Sequence, residues 1–117
     1  MNKPRAETPS PQDEMADVRR VIDALDDELV ALLAKRQRQI ERAARVKPLL
    51  DIPARVPERI DEVLARVEEA AKREGLSVEL CAKVWTRVIE WSIEYEEKLM
   101  GEGERSEKAS FAGRRPR

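Results

Sequence analysis

The chain has 117 residues, of which 41% are apolar and 40% are charged, and this length fits a single domain. Its 23 basic and 24 acidic residues give a net charge of −1, which argues against a dedicated nucleic-acid binder. The absence of histidine and the single cysteine, Cys81, exclude histidine-dependent nucleophile systems, histidine-containing metal sites and an intrachain disulfide. We therefore expect no metal, no cofactor and a reduced, cytoplasmic setting.

The first predicted segment is a disordered lead over residues 1–12. It holds three prolines among serine, threonine and asparagine and has no apolar run of the kind that a secretory signal requires. No apolar run elsewhere approaches the roughly 18 residues of a membrane span, so we expect no membrane association.

A long amphipathic helix is predicted next, from Asp13 to Val46, because this stretch contains neither glycine nor proline. At 1.5 Å per residue such a helix is about 50 Å long. Acidic residues dominate its first half and basic residues its second half, which is the order that the helix dipole favours. Its apolar positions alternate three and four apart at Met15, Val18, Ile22, Leu25, Leu29 and Leu32.

Two shorter helices are predicted after a proline-rich connector over residues 48–57. The second helix begins near Pro57, a residue suited to a first helical position, and stops at Gly75. Ser77 is placed to cap the third helix, which we expect to end at Gly101.

These elements divide the chain into a lead (1–12), a helical domain (13–101) and a disordered, polar and basic tail (102–117). The long helix cannot bury its apolar stripe against two much shorter helices in a compact monomer, whereas a second copy of the chain can cover it. The predicted fold class is therefore all-α: a three-helix chain with one long N-terminal helix, assembled as an intertwined helical homodimer.

Five polar side chains interrupt the apolar faces or lie beside them. In the first helix Arg36 continues the apolar stripe, and Lys47, eleven residues later, points within about 20° of it. In the third helix Ser92 and Glu96 continue an apolar row, and Arg59 opens the second helix. Each side chain taken singly can snorkel to the edge of its stripe. Together, three cations facing one internal carboxylate indicate a bound dianion, because buried cations need anionic partners.

The same positions follow a joint spacing along the chain. The pattern R-x-x-I-x-x-L-D-x-x-L-V-x-L-L-A-x-R runs from Arg19 to Arg36. Lys47, Arg59 and the segment V-I-E-W-S-x-x-x-E at 88–96 come after it. In this arrangement the sequence resembles the all-helical chorismate mutases.

The resemblance implies an enzyme that needs no histidine. Members are intertwined dimers of three-helix chains with two active sites per dimer, and they rearrange the dicarboxylate chorismate to prephenate in aromatic amino acid biosynthesis. The reaction proceeds without a covalent intermediate, acid, base or metal. Catalysis then rests on positioning the substrate and on preorganised charge at the ether oxygen, where negative charge develops.

The resemblance also implies a role for each cation. Arg36 binds the side-chain carboxylate, and Arg19, contributed by the other subunit, binds the second carboxylate. Lys47 contacts a carboxylate and the ether oxygen, and Arg59 adds positive field. On a helical wheel Arg19 lies about 100° from Arg36, which agrees with a contribution across the dimer interface.

The remaining positions include both matches and departures. By resemblance Ser92 hydrogen-bonds the ring carboxylate, and Glu96 stands where the family usually has glutamine, near the ether oxygen. Val56 and Ile60 occupy positions where members commonly place carboxylates near the ring hydroxyl. Recognition of the hydroxyl, and with it the choice among chorismate, isochorismate and an amino-substituted chorismate, stays open.

Other functions are therefore weighed beside the mutase. The segments at 16–19 and 52–54 also resemble the related isochorismate-pyruvate lyases. A non-catalytic helical dimerisation module would carry leucine or alanine at Arg36, Lys47 and Glu96. A nucleic-acid-binding module rests on the basic tail alone.

Overall fold

The computed structural model describes the backbone of residues 8–114 and the side chains of residues 8–101. Within this part of the chain all regular structure is helical, which confirms the all-α prediction and the long first helix. The elements are α1 (Pro11–Val46), a short 3-10 helix (Lys47–Leu50), α2 (Pro57–Glu74) and α3 (Val78–Arg114).

The first helix begins two residues earlier than predicted. The Ser10 hydroxyl accepts a hydrogen bond from the amide of Asp13 at 3.0 Å, and Pro11 occupies the first helical position, where its missing N–H costs nothing. The predicted end at Val46 is confirmed. The chain then tightens into the 3-10 helix, which ends at Asp51 in the left-handed conformation (φ 57°).

The turn between α2 and α3 follows the predicted capping residues. Pro57 is the first residue of α2, and Gly75 closes that helix in the left-handed conformation (φ 75°), which glycine adopts without a steric penalty. The Ser77 hydroxyl accepts the amide of Leu80 at 3.1 Å and so caps α3. This short connection brings α2 and α3 together as packed neighbours.

The third helix differs from the prediction at its far end. The sequence predicts an end at Gly101, but the helix continues through Arg114. No proline lies in this stretch, and glutamate, lysine, arginine and alanine outweigh its glycines as helix formers. Of the lead and tail predicted to be disordered, residues 1–7 and 115–117 lie outside the described residues.

The chain forms two compact units that divide within α1, between Arg36 and Gln37. The described part of the first unit is helical from Pro11 onward. Its large apolar side chains are between 40% and 65% exposed, far more than core positions would be. We call these residues the apolar stripe of α1: Met15, Val18, Val21, Ile22, Leu25, Leu29, Val30, Leu32 and Leu33.

The second unit has its core where the connector meets α3. Ala54 from the connector packs with Ile89 and Ile93 of α3, and all three are buried. Ile60, Val63, Leu64, Trp85 and Met100 surround this cluster as partly buried neighbours. The connector is therefore part of the packed core and not a loose loop.

A polar contact joins the last turns of α1 to α3 within the second unit. The Tyr95 hydroxyl donates to Glu41 Oε2 at 2.8 Å, and the Gln37 side-chain amide donates to the same oxygen at 3.3 Å. These two hydrogen bonds, Tyr95 first, lower the pKa of Glu41. The indole of Trp91 stacks on Tyr95 with ring centroids 4.7 Å apart.

Replacing Tyr95 by phenylalanine should destabilise the fold in a pH-dependent way. Because the folded pKa of Glu41 is lowered, its stabilising contribution is present above the unfolded value near 4.5 and is lost as pH falls through the folded pKa. Urea unfolding at pH 7 and at pH 3 should show a larger loss for Tyr95→Phe at pH 7. In a Glu41→Gln background the loss should not change with pH, and a pH-dependent loss there would contradict this account.

Candidate active site

The Lys47 ammonium lies at the junction of α1 and the connector, where two acceptors hold it. Lys47 Nζ is 2.6 Å from Glu96 Oε1 and 2.9 Å from the carbonyl oxygen of Ala54. The backbone carbonyl of Lys47 also accepts the amide of Ile52 at 2.9 Å. The connector thus folds back on Lys47 at both its main chain and its side chain.

Glu96 reaches Lys47 because of its phase on α3. Ile89, Ile93 and Glu96 are spaced by four and three residues, so all three lie on the inner face of the helix. Glu96 is only 4% exposed, and a carboxylate at that depth requires a charged or hydrogen-bonding partner. Lys47 provides that partner, and removing one member of such a buried pair typically costs about 3–5 kcal/mol.

Ser92 lies one turn before Glu96 on the same face of α3. Its side chain is buried, at 5% exposure, and its hydroxyl donates to the carbonyl of Val88 at 2.7 Å. This hydrogen bond to the preceding turn orients the hydroxyl within the helix.

Arg59 lies on the outer face of α2. Its guanidinium is 2.6 Å from Glu62, one turn further along, and the two side chains are 62% and 61% exposed. Lys47 and Glu96 are thus in direct contact, and Ser92 lies one turn away on α3. Arg59 is not part of this group, because it pairs with Glu62.

Arg19 and Arg36 both belong to the first compact unit. Arg19 is exposed on α1, whereas Arg36 is half-buried. Their roles toward a substrate stay predictions.

Two features of this region have no signal in the sequence pattern. The first is the carbonyl of Ala54, since a backbone acceptor carries no side-chain identity. The second is a bidentate ion pair in which Arg55 donates to both carboxylate oxygens of Glu90, at 2.9 and 2.8 Å. This pair lowers the pKa of Glu90 and raises the pKa of Arg55, chiefly through its hydrogen bonds.

Val56 and Ile60, which stand where the resemblance leads one to expect acidic residues, also have apolar surroundings. Ile60 packs against the buried cluster of the connector and α3, and Val56 is half-buried at the start of α2. Neither offers an acceptor to a substrate hydroxyl from its side chain.

The chemistry available here is electrostatic. The described residues hold no group of three or more histidine, cysteine, aspartate or glutamate side chains that could bind a metal ion. Over the same residues, no helix has the length and apolar character needed to cross a membrane. What the site offers is a cation fixed by a buried carboxylate and a carbonyl, in a place shielded from water.

Comparisons with known proteins agree with this chemistry. The profile of a family described as chorismate mutase type II matches residues 18–97. A curated chorismate mutase from Methanocaldococcus jannaschii is 24% identical over 96 residues, which cover 82% of this chain and 97% of that protein. The family match contains α2, the connector, Lys47 and Glu96, and it spans well over half of the chain. The chain belongs to the chorismate mutase type II family.

Proposed function

We propose that the protein is a chorismate mutase, an isomerase that rearranges chorismate to prephenate, and that Lys47 supplies the central fixed charge. The family match and the curated relative support the activity. The observation that carries the mechanism is the Lys47 ammonium held between Glu96 and the carbonyl of Ala54. In the cytoplasm the product would feed aromatic amino acid biosynthesis.

The rearrangement needs positioning and charge more than proton transfer. The ether C–O bond breaks while a C–C bond forms between the enolpyruvyl carbon and the ring, and no atom is gained or lost. Negative charge grows on the ether oxygen as the bond breaks. A donor already aimed at that oxygen stabilises the transition state without reorganising.

Lys47 has the capacity to be that donor. An ammonium group carries three N–H donors, and Glu96 and Ala54 accept two of them. The third is available to an oxygen of the substrate. Because the other two are fixed to the protein, the direction of the third is fixed as well.

The substrate's two carboxylates require further cations, which we assign to Arg36 and to Arg19 of a second copy. The exposed apolar stripe of α1 supports the homodimer, since a contiguous surface of this kind is covered in a stable soluble protein. In a two-fold dimer each copy gives the same residues to its partner's site, so two equivalent sites form. Arg59 and Ser92 complete the proposed binding set, through positive field and a hydrogen bond to the ring carboxylate.

A substrate assay tests the activity itself. Purified protein incubated with chorismate should form prephenate well above the uncatalysed rate, because the fixed charge favours the transition state. Isochorismate is the matched control substrate, since its hydroxyl stands elsewhere on the ring. Formation of salicylate and pyruvate from isochorismate, with no prephenate from chorismate, would assign the chain to the lyases instead.

Replacing Arg36 by alanine should lower kcat/KM, because a carboxylate anchor and a fixed charge are lost together. The expected loss of transition-state stabilisation is about 3–4 kcal/mol. The matched control is Arg38→Ala, an exposed arginine on the same helix, which should retain activity.

The same variant tests the shared site. Mixing Arg36→Ala with Arg19→Ala under conditions of subunit exchange should restore activity, because one site of each heterodimer is intact. Sedimentation must first show a dimer. A folded monomer, or a mixture that stays inactive, would rule out the contribution of Arg19 across the interface.

Replacing Glu96 by glutamine should keep or raise the rate at pH 7–8. A carboxylate beside the ether oxygen cannot donate a hydrogen bond and repels the growing charge. The glutamine side chain has nearly the same shape, donates a hydrogen bond through its amide and still offers Lys47 an acceptor. Glu97→Gln, an exposed neighbour on α3, is the control. A folded Glu96→Gln variant with a clearly lower rate at this pH would place Glu96 away from the ether oxygen.

A further inference from the structure

A bidentate ion pair ties the connector to α3. Both terminal nitrogens of Arg55 donate to Glu90, one to each carboxylate oxygen, although the two residues are 35 positions apart in sequence. Their side chains are 47% and 44% exposed. A single exposed ion pair of flexible side chains contributes little, but a two-bond pair between distant segments fixes both their distance and their relative angle.

This pair is adjacent to the acceptor that holds the Lys47 ammonium. Arg55 follows Ala54, whose carbonyl accepts Lys47 Nζ at 2.9 Å. Glu90 follows Ile89, against which the side chain of Ala54 is packed. Two neighbouring residues of the connector are therefore attached to two neighbouring residues of α3, once by apolar contact and once by charge.

Apart from the packing of Ala54, the described part of the connector has few contacts that hold it to α3. The amides of Asp51 and Ile52 bond back to Pro48 and Lys47, within the same short stretch of chain. Pro53 has no amide hydrogen to donate. Among the described contacts of this stretch, the polar ties to α3 are the ion pair itself and the route through Lys47.

We propose that Arg55 and Glu90 are positioning residues for Lys47: they hold the carbonyl of Ala54 against α3 and thereby set the direction of the Lys47 ammonium. This inference rests on the proposed function, because it takes Lys47 to be the charge that meets the substrate. Ala54 and Glu96 are the two fixed points of the ammonium, and the ion pair secures the first of them.

The alternative is that apolar packing of Ala54 alone holds the connector. The ion pair would then be an ordinary surface contact whose loss changes stability slightly and activity not at all. The two accounts differ in what they expect for turnover by a fully folded variant.

The test is a double-mutant cycle in kcat/KM for chorismate, measured well below the unfolding temperature. Arg55→Ala and Glu90→Ala should each lower kcat/KM roughly 10- to 100-fold, since small displacements of a positioned group have costs of this order. The double variant should lose no more than either single variant, because both remove the same contact. Arg55→Lys, which keeps the charge but not the two-bond geometry, should lose less than Arg55→Ala.

The control is Arg73→Ala. This arginine is also exposed, and its Nε is 3.9 Å from Oε2 of its neighbour Glu74. It should leave kcat/KM unchanged. If Arg55→Ala and Glu90→Ala are folded and equally unaffected, or if their losses simply add, the positioning role is overturned.

Hydrogen exchange gives a readout that does not depend on turnover. The amide of Ile52, bonded to the carbonyl of Lys47, should exchange faster in Arg55→Ala than in the wild-type protein and should not change in Arg73→Ala. If the wild-type protein makes no prephenate, the proposed function has failed, and this exchange rate alone decides whether the ion pair holds the connector. An unchanged rate overturns the proposal whatever the activity.

Discussion

The buried contact between Lys47 and Glu96 is the constraint on which the rest of the second unit depends. The Glu96 carboxylate is costly to remove from water, and the partly buried Lys47 ammonium offsets that cost. The contact joins the end of α1 to the middle of α3 across 49 residues of sequence. Stability and the proposed chemistry therefore share one interaction, and a change that weakens it acts on both.

The connector fixes the direction in which the Lys47 ammonium points. If Lys47 met Glu96 alone, its ammonium would be free to rotate about a single contact. The carbonyl of Ala54 removes that freedom, and the side chain of Ala54 packs against Ile89. A main-chain carbonyl and a carboxylate therefore both hold Lys47 Nζ, and the apolar core packs around the residue that carries the carbonyl. This explains how a region without histidine or a metal ligand set presents a well-oriented electrostatic group.

The sequence predicts the helices and the buried positions of Ser92 and Glu96 well, because both depend on periodicity. Arg59, counted among the inward cations, is instead exposed and paired with Glu62. Gly75 and Ser77 have local capping chemistry, and the inner-face position of Glu96 follows from counting residues along the helix. Contacts between distant segments are a different matter. The spacing of residues does not show whether Glu96 contacts Lys47 or a substrate. No periodic pattern in the sequence predicts that Arg55 pairs with Glu90. The predicted end of α3 at Gly101 differs from the structure, because the helix formers beyond this glycine outweigh its effect as a stop signal.

The buried thiol of Cys81 makes the packing of α2 on α3 directly measurable. Its side chain is 3% exposed and bonds to the carbonyl of Val67 at 3.4 Å, so a thiol reagent reaches it only when the two helices separate. Because the sequence contains one cysteine, every modification event reports that single opening. The native chain thus carries its own probe of local unfolding, and the modification rate under fast-reclosing conditions gives the free energy of that opening without any engineered label.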